Sequence, residues 1–220
     1  MSQKFWGGYL IPTLGVWDSF KDINFDYLPN QFVLKCTHDS EGNVIVKNKL
    51  EFDVNAAREK IERSLHQNFY YYGREWPYKD VKPRIIAETY MEDSADGELK
   101  DYKFFCFNGI PKLMQINSKR NTGHQKVDFY DMEFNHLDMK GKAPNSDILL
   151  RKPKNFEKMI ELAKILSDGF IHVRVDFYEV NGNVYFGELT FYHHSGFMPF
   201  KPEKWDYILG EWLVLPDLYL

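Results

Sequence analysis

Two strand-like segments near the carboxyl end of the chain, joined by a tight turn, constrain the fold more than any other feature. Val173–Tyr178 reads VRVDFY and Tyr185–Phe191 reads YFGELTF, with Asn181–Asn183 in the turn between them. Both segments mix chargeable residues with aliphatic and aromatic ones at the two-residue period of a strand. The sequence therefore predicts an antiparallel pair with chargeable side chains on one face.

The register of this pair decides whether its two acidic residues meet. A three-residue loop at Asn181–Asn183 pairs Val180 with Val184, and counting back places Asp176 opposite Glu188. A plain two-residue turn would instead put the two carboxylates on opposite faces of the ribbon. The hypothesis that they meet therefore requires the odd loop or a bulge.

In the same register Arg174 faces Thr190, next to the two acids. Carboxylates on directly opposed residues, with Cβ atoms about 4.5–5.5 Å apart, repel each other unless a positive charge lies between them. A divalent cation such as Mg²⁺ would meet this need, because it binds carboxylate oxygens together with substrate phosphates. The same residues also suit a solvated face in which Arg174 neutralises the acids, and both interpretations remain open.

Composition excludes several classes of protein. The chain has 220 residues and 44% hydrophobic content, which suits one domain or one domain with a small lobe. A formal net charge of -4 lacks the basic excess of a nucleic-acid binder, and no apolar run approaches the ~20 residues that cross a bilayer. The N-terminal residues show no signal-peptide pattern, and the distant Cys36 and Cys106 suggest buried reduced thiols. We therefore expect a cytoplasmic protein.

The rest of the chain predicts an α+β domain. Strands are expected at Gln31–Cys36, Asn43–Lys47, Arg84–Glu88, Lys103–Phe107, Lys112–Ile116 and Val127–Tyr130. Apolar residues at helical spacing predict helices over 54–69 and 155–167, the second with Asn155 as its N-cap. Asn108-Gly109 is a strong hairpin signal, whereas residues 1–30 read as an irregular packed segment and Tyr70–Tyr78 as a loop.

Four motifs, read together, resemble the TupA-like ATP-grasp family: FVLKC, RIIAETYMED, DYKFFCFNGIPK and VRVDFYEVNGNVYFGELTF. The resemblance covers roughly Tyr9 to Pro216, and the last motif is its most specific part. It implies an α+β ATP-grasp fold, with two α+β lobes and the nucleotide between them, lacking most of the usual N-terminal domain. The expected organisation is a single module over 1–220. An irregular segment (1–30) precedes a smaller lobe with the phosphate loop (31–92) and a larger lobe with the metal-binding strands (93–220).

The resemblance also implies roles for individual residues. Mg²⁺ ligands are implied at Asp176, Glu188 and Thr190, the last where many relatives have asparagine. Arg174 matches an arginine that steadies the reacting phosphate, and Arg120 matches a position that clamps a phosphate or substrate carboxylate. Contacts to ATP are implied for a further set: Lys35, His38, Ser40, Glu88, Tyr90, Met91 and Lys103. Residues 193–196 lie where contacts to the acceptor are expected.

The implied activity is that of a ligase. ATP and Mg²⁺ would phosphorylate a carboxylate, and an amine or similar nucleophile would attack it to form an amide-like bond. The substrate would be a small molecule or glycan precursor of a capsule, a teichuronopeptide or another surface polysaccharide. A second copy, or a separate chain that supplies the N-terminal lobe, is the expected protein partner.

Two other functions stay open. One is a glycosyltransferase of polysaccharide biosynthesis that uses a nucleotide-sugar. The other is a nucleotide-binding remnant without catalysis, favoured by Asp39 and Glu41, which stand where related phosphate loops usually have glycines. These acids would crowd the loop and repel a polyphosphate.

Overall fold

The structure is a computed structural model that describes residues 7–40, 42–94, 97–119 and 122–216. The chain divides into two compact units, which we call the first unit (Ile11–Met91) and the second unit (Glu92–Leu220 with the residues up to Leu10). Each unit is built on its own antiparallel sheet. Across the described ranges, no helix is both long and apolar enough to cross a membrane.

The first unit is a four-stranded sheet with one long helix. Its strands lie in the order β1 (Thr13–Trp17), β4 (Ile85–Thr89), β2 (Phe32–Cys36) and β3 (Val44–Val46). The long helix, α1 (Val54–Leu65), begins after Asp53, whose carboxylate accepts from two backbone N–H groups of the first turn. Its buried Ala57 and Ile61 share a core with the inward side chains of β2 and β4. A short helix, α2 (Tyr70–Gly73), follows.

Two segments of the first unit are more regular than the sequence predicts. Residues 13–17, expected to be irregular, form β1 and pair with residues 85–88 of β4. The sequence of β1 does not show the alternation of buried apolar and exposed polar side chains that identifies a strand, because Gly15 lacks a side chain and Val16 is exposed. The expected loop at 70–78 contains α2 and a 3-10 turn at Trp76–Tyr78, since its aromatic rings pack against one another, with Phe69 and Tyr78 4.8 Å apart at their centroids.

The second unit is a five-stranded sheet covered on both faces. Its strands lie in the order β7 (Lys126–Tyr130), β6 (Ile110–Ser118), β5 (Asp101–Phe107), β8 (His172–Val180) and β9 (Asn183–Thr190). Helix α3 (Phe156–Ser167) packs its buried side chains against one face, in a core that contains Phe104 and Phe177. Helix α4 (Lys204–Trp212) places Trp205 in a second apolar cluster with Phe105. Phe104 and Phe105 alternate along β5, so the two clusters lie on opposite faces of the sheet.

The hairpin of β5 and β6 confirms the prediction made from Asn108-Gly109. Phe107 pairs with Ile110 across these two residues, whose φ angles of 47° and 77° lie in the left-handed region that a type I′ turn requires. Helix α3 also begins where predicted, after Asn155. The Asn155 side chain makes no cap bond to its own helix, and its Nδ2 donates to a carboxylate oxygen of Glu179 at 2.6 Å.

Candidate functional site

The turn between β8 and β9 differs from the predicted one. Val180 pairs with Asn183 across the two-residue turn Asn181–Gly182, so the predicted three-residue loop and the pairing of Val180 with Val184 are wrong. Asn181 and Gly182 have φ angles of 52° and 79°, which asparagine and glycine tolerate well, and this favours the shorter turn. A turn of this length alone would separate the two acids onto opposite faces.

A bulge at Gly187 brings the acids back to one face. Phe177 pairs with Phe186 on one side of Gly187, and Asp176 pairs with Glu188 on the other. Gly187 is the extra residue of β9, and a Cβ at this position would lie only 3.2 Å from the carbonyl oxygen of Asp176. The missing side chain therefore permits the bulge, which restores the parity that the register hypothesis required.

The acid pair ends a row of polar side chains that crosses four strands. Asp176 on β8 pairs with Lys103 on β5, and Lys103 pairs with Gln115 on β6. Asp176, Lys103 and Gln115 are buried, with relative exposures of 2%, 9% and 4%. Glu188, at the β9 end, has a side chain that is 56% exposed. The row thus leads from the buried centre of the sheet to solvent.

The Arg174 guanidinium holds the exposed end of this row together. Its Nε and Nη2 donate to different oxygens of Asp176, both at 2.7 Å. Nη2 also lies 2.9 Å from Oε1 of Glu188 and 2.8 Å from Oγ1 of Thr190. Nη1 lies 2.5 Å from Nδ1 of His193. Every nitrogen of the guanidinium is engaged, so the orientation of Arg174 is fixed.

Asp176 keeps its charge in the interior because two cations face it. Its Oδ2 accepts from the ammonium of Lys103 as well as from Arg174. Burial disfavours the ionised form, but the charges of Arg174 and Lys103 outweigh burial and hold the pKa of Asp176 below the ordinary 3.8. Burial likewise opposes the charge of Arg174, and its acidic neighbours, Asp176 before Glu188, keep the pKa of Arg174 above its usual value.

These residues fit a magnesium ion only together with further anionic ligands. In the part of the chain that the structure describes, no group of three or more His, Cys, Asp or Glu residues is placed to hold a metal. Both oxygens of Asp176 are engaged by cations, whereas the Glu188 side chain is half in solvent. Phosphate oxygens would have to complete the coordination of the metal and also draw Lys103 and Arg174 away from Asp176.

The loop after β2, predicted to bind phosphates, turns two of its side chains toward α1. His38 is 2% exposed, and its Nε2 donates to the carbonyl oxygens of Ser64 and Gln67, each at 3.0 Å. Asp39 accepts from the backbone N–H of Gly42 at 3.1 Å and from the Ser64 hydroxyl. A contact between His38 and a phosphate stays a prediction, and it would require the ring to leave these carbonyl groups.

The other predicted ATP contacts of the first unit lie on its strands and loops. The ammonium of Lys35 lies 2.5 Å from a carboxylate oxygen of Glu88, and both side chains are partly exposed. Tyr90 and Met91 follow β4 and are half-buried, and Ser40 is exposed. The structure thus brings Lys35 and Glu88 together, and the role of this whole set in ATP binding stays a prediction.

Two residues singled out in the sequence lie outside the described residues. These are Arg120, predicted to clamp a phosphate or carboxylate, and Glu41 of the loop after β2.

Sequence reasoning missed Gln115 and the bond between His193 and Arg174. Within the described ranges, Oε1 of Gln115 and Nε2 of His193 are buried without a hydrogen-bond partner. Gln115 and Asn117 stand two apart in KLMQINS, on either side of Ile116, and the Gln115 amide donates to Asn117 at 2.7 Å. Polar residues at this spacing in a buried strand are the signal that could have found this part of the row.

The chain has the ATP-grasp fold. More specifically, the chain belongs to the TupA-like ATP-grasp family, whose family model matches residues 1–214. The resemblance seen in the four sequence motifs is therefore confirmed at the level of the family.

Several solved structures are similar to the chain at low sequence identity. D-alanine–D-alanine ligase from Bacillus anthracis, complexed with ATP, is 14% identical with a TM-score of 0.46, over 85% of this chain and 49% of that chain. The corresponding enzyme from Helicobacter pylori is 16% identical with a TM-score of 0.46, over 87% and 52%. A RimK domain ATP-grasp protein from Sphaerobacter thermophilus DSM 20745 is 9% identical with a TM-score of 0.45, over 96% and 58%. The chain spans about half the length of these structures, and no curated protein matches it.

Proposed function

We propose that the protein is an ATP-dependent ligase that uses Mg²⁺ and joins a carboxylate to an amine or similar nucleophile through an acyl phosphate. One observation carries the proposal: in a chain of the TupA-like ATP-grasp family, Asp176 and Glu188 are paired across β8 and β9, with Arg174 bound to both. Asp176 and Glu188 are the residues for which the family resemblance implies Mg²⁺ binding, and Arg174 is the residue for which it implies binding of the reacting phosphate.

The reaction consists of two displacements. A carboxylate oxygen of one substrate bonds to the γ-phosphorus of ATP while the bond from that phosphorus to ADP breaks. The nucleophile's nitrogen then bonds to the acyl carbon, inorganic phosphate leaves, and the nitrogen loses a proton. Negative charge develops on phosphate oxygens in both steps, so positive donors held in fixed positions stabilise the transition states.

Arg174 and Lys103 are suited to provide that stabilisation. Both are cationic and buried, and both are already oriented by Asp176. Arriving phosphate oxygens would compete with Asp176 for these donors. Asp176 and Glu188 would hold Mg²⁺ with the phosphates, and Thr190 would contribute a weaker oxygen ligand. When bound, the metal supplies a Lewis acid that neutralises the developing charge.

The family resemblance also suggests the biological setting. Related proteins are found in gene clusters for capsule, teichuronopeptide and other surface polysaccharides. We therefore propose that the carboxylate or the nucleophile belongs to a glycan or peptide precursor of such a polymer, and that the reaction takes place in the cytoplasm, where ATP is available.

The proposal is tested by nucleotide binding and turnover of Glu188→Gln. Glutamine still accepts from Arg174 and Thr190 but carries no charge, so the fold should be retained. We expect binding of a non-hydrolysable ATP analogue with Mg²⁺ to weaken, and ADP formation to fall by about a hundredfold or more, since a Lewis acid is worth several kcal/mol.

The matched control is Glu157→Gln, an exposed acid on α3 that is paired only with Lys152 among the described residues. It should behave as wild type. Wild-type turnover in Glu188→Gln would refute the metal assignment, and binding of a UDP-sugar but not of ATP would point to a transferase instead.

A further inference from the structure

Arg174 holds the imidazole of His193 in one tautomer. A guanidinium group can only donate, so Nδ1 of His193, 2.5 Å from Nη1 of Arg174, must be the acceptor. A neutral imidazole that accepts at Nδ1 carries its proton on Nε2. Burial, followed by the positive charge of Arg174, also lowers the pKa of His193 to about 2, so the ring is neutral at ordinary pH.

The His193 ring is also fixed by aromatic packing. It meets the Phe105 ring edge-on with centroids 4.9 Å apart, and it lies parallel to the Phe200 ring with centroids 6.2 Å apart. The two following residues, His194 and Ser195, have φ angles of 47° and 57°, an uncommon conformation for residues other than glycine. Such local strain persists only where the surrounding structure enforces it, here directly beside Arg174.

His193 differs in charge from the main acceptors of Arg174. Asp176 and Glu188 fix the guanidinium but also neutralise it. The Thr190 hydroxyl is shared, because it also donates to Glu188 at 2.9 Å. His193 alone among the described acceptors engages Nη1, and it adds no negative charge.

We propose that His193 is a positioning residue, a neutral acceptor that fixes Nη1 of Arg174 without cancelling its charge, so that the guanidinium keeps its attraction for a polyphosphate ligand. The part of this proposal that concerns phosphate rests on the proposed function. The tautomer of His193 and its hydrogen bond to Arg174 do not depend on the proposed function.

The first test needs no nucleotide. The ¹⁵N spectra of the full chain with labelled histidine and arginine should show His193 as the neutral form protonated at Nε2. The Nη1–H protons of Arg174 should be protected from solvent exchange, since Nη1 is the atom that His193 engages. In His193→Phe this Arg174 signal should exchange faster, whereas His193→Asn should keep it slow. A His193 ring that is protonated at Nδ1, or an Arg174 signal unchanged in the phenylalanine variant, would overturn the proposal.

The second test compares the dissociation constant of a Mg²⁺-bound, non-hydrolysable ATP analogue across His193 variants by calorimetry. Asparagine keeps a neutral acceptor and should stay close to wild type. Phenylalanine keeps the ring but loses the acceptor, and should weaken binding about ten- to a hundredfold, as expected for a lost hydrogen bond to a charged group. Aspartate accepts but neutralises Arg174, so it should bind more weakly than asparagine.

The order of these variants separates positioning from packing. If His193 served only to fill space between Phe105 and Phe200, phenylalanine would be the best-tolerated substitution and asparagine would be poor, which is the opposite order. His124→Asn is the matched control, since His124 is exposed in the loop before β7, and it should bind as wild type. A wild-type protein that bound no nucleotide would refute the proposed function, while the spectra would still decide the role of His193.

Discussion

Replacing Asp176 with asparagine should destabilise the second unit strongly, whatever it does to catalysis. The carboxylate is 2% exposed and is paired with both Arg174 and Lys103. Asparagine has nearly the same shape but no charge, so the variant leaves two buried cations facing a neutral amide. Removing one partner of a buried ion pair costs about 3–5 kcal/mol, because the remaining charge is left uncompensated.

A loss of this size is large for a single substitution. Typical free energies of unfolding are about 5–15 kcal/mol, so Asp176→Asn would remove a third or more of the stability of many domains. Glu188→Gln is the matched comparison in the same row. Its side chain is 56% exposed and its hydrogen bonds survive the change, so its free energy of unfolding should stay within about 1 kcal/mol of wild type.

Urea denaturation at pH 7, followed by circular dichroism, measures both variants against wild type. The expected result is a much lower midpoint for Asp176→Asn and a nearly unchanged one for Glu188→Gln. If Asp176→Asn unfolded within 1 kcal/mol of wild type, the buried cations would have found another counter-charge, and the reasoning from the ion pairs would be wrong. Loss of activity in Asp176→Asn can be assigned to chemistry only after this measurement.

Two further predictions concern stability. Gly42→Ala should unfold at a lower urea concentration, because a Cβ there would collide with the Ser64 side chain and disturb the loop after β2. His193 should make stability depend on pH, since its pKa is about 2 in the folded protein and 6.5 ordinarily. As the pH falls below 6.5, the unfolded chain takes up the proton first. The free energy of unfolding therefore falls by about 1.4 kcal/mol for each pH unit below 6.5. Denaturation curves between pH 6.5 and 4.5 should show that His193→Phe lacks this part of the slope, and equal slopes would contradict it.

The sequence pattern was sufficient to predict most of the second unit's sheet. The short, mostly apolar runs Lys103–Phe107 and Lys112–Ile116, together with Asn108-Gly109, placed the hairpin correctly, and the structure only lengthens its strands. The same dipeptide occurs as Asn181-Gly182, but Asn183 is also a good turn former, so the sequence did not distinguish a loop of two residues from one of three. Turn-forming residues in a run of three leave the strand register undecided.

The bulge at Gly187 could not be predicted from propensities. A glycine inside YFGELTF is compatible with a bulge, but it is also compatible with a weak regular strand. What decides between them is tertiary: the register must bury Asp176 next to its cations while β9 still pairs with β8. A local pattern holds no information on this requirement, because Lys103 is far away in the chain.

The two interpretations that the residues of β8 and β9 left open are not exclusive. The structure shows the neutralised arrangement, with Arg174 and Lys103 against Asp176 and with Arg174 also against Glu188. Two cations and two carboxylates balance, so a bare divalent cation would meet no net negative charge here and would have to displace bound donors. A metal that arrives with polyphosphate brings its own acceptors for those donors. The same row that neutralises itself would therefore disfavour the metal alone and favour the metal–nucleotide complex, which is the form of the substrate that the proposed ligase needs.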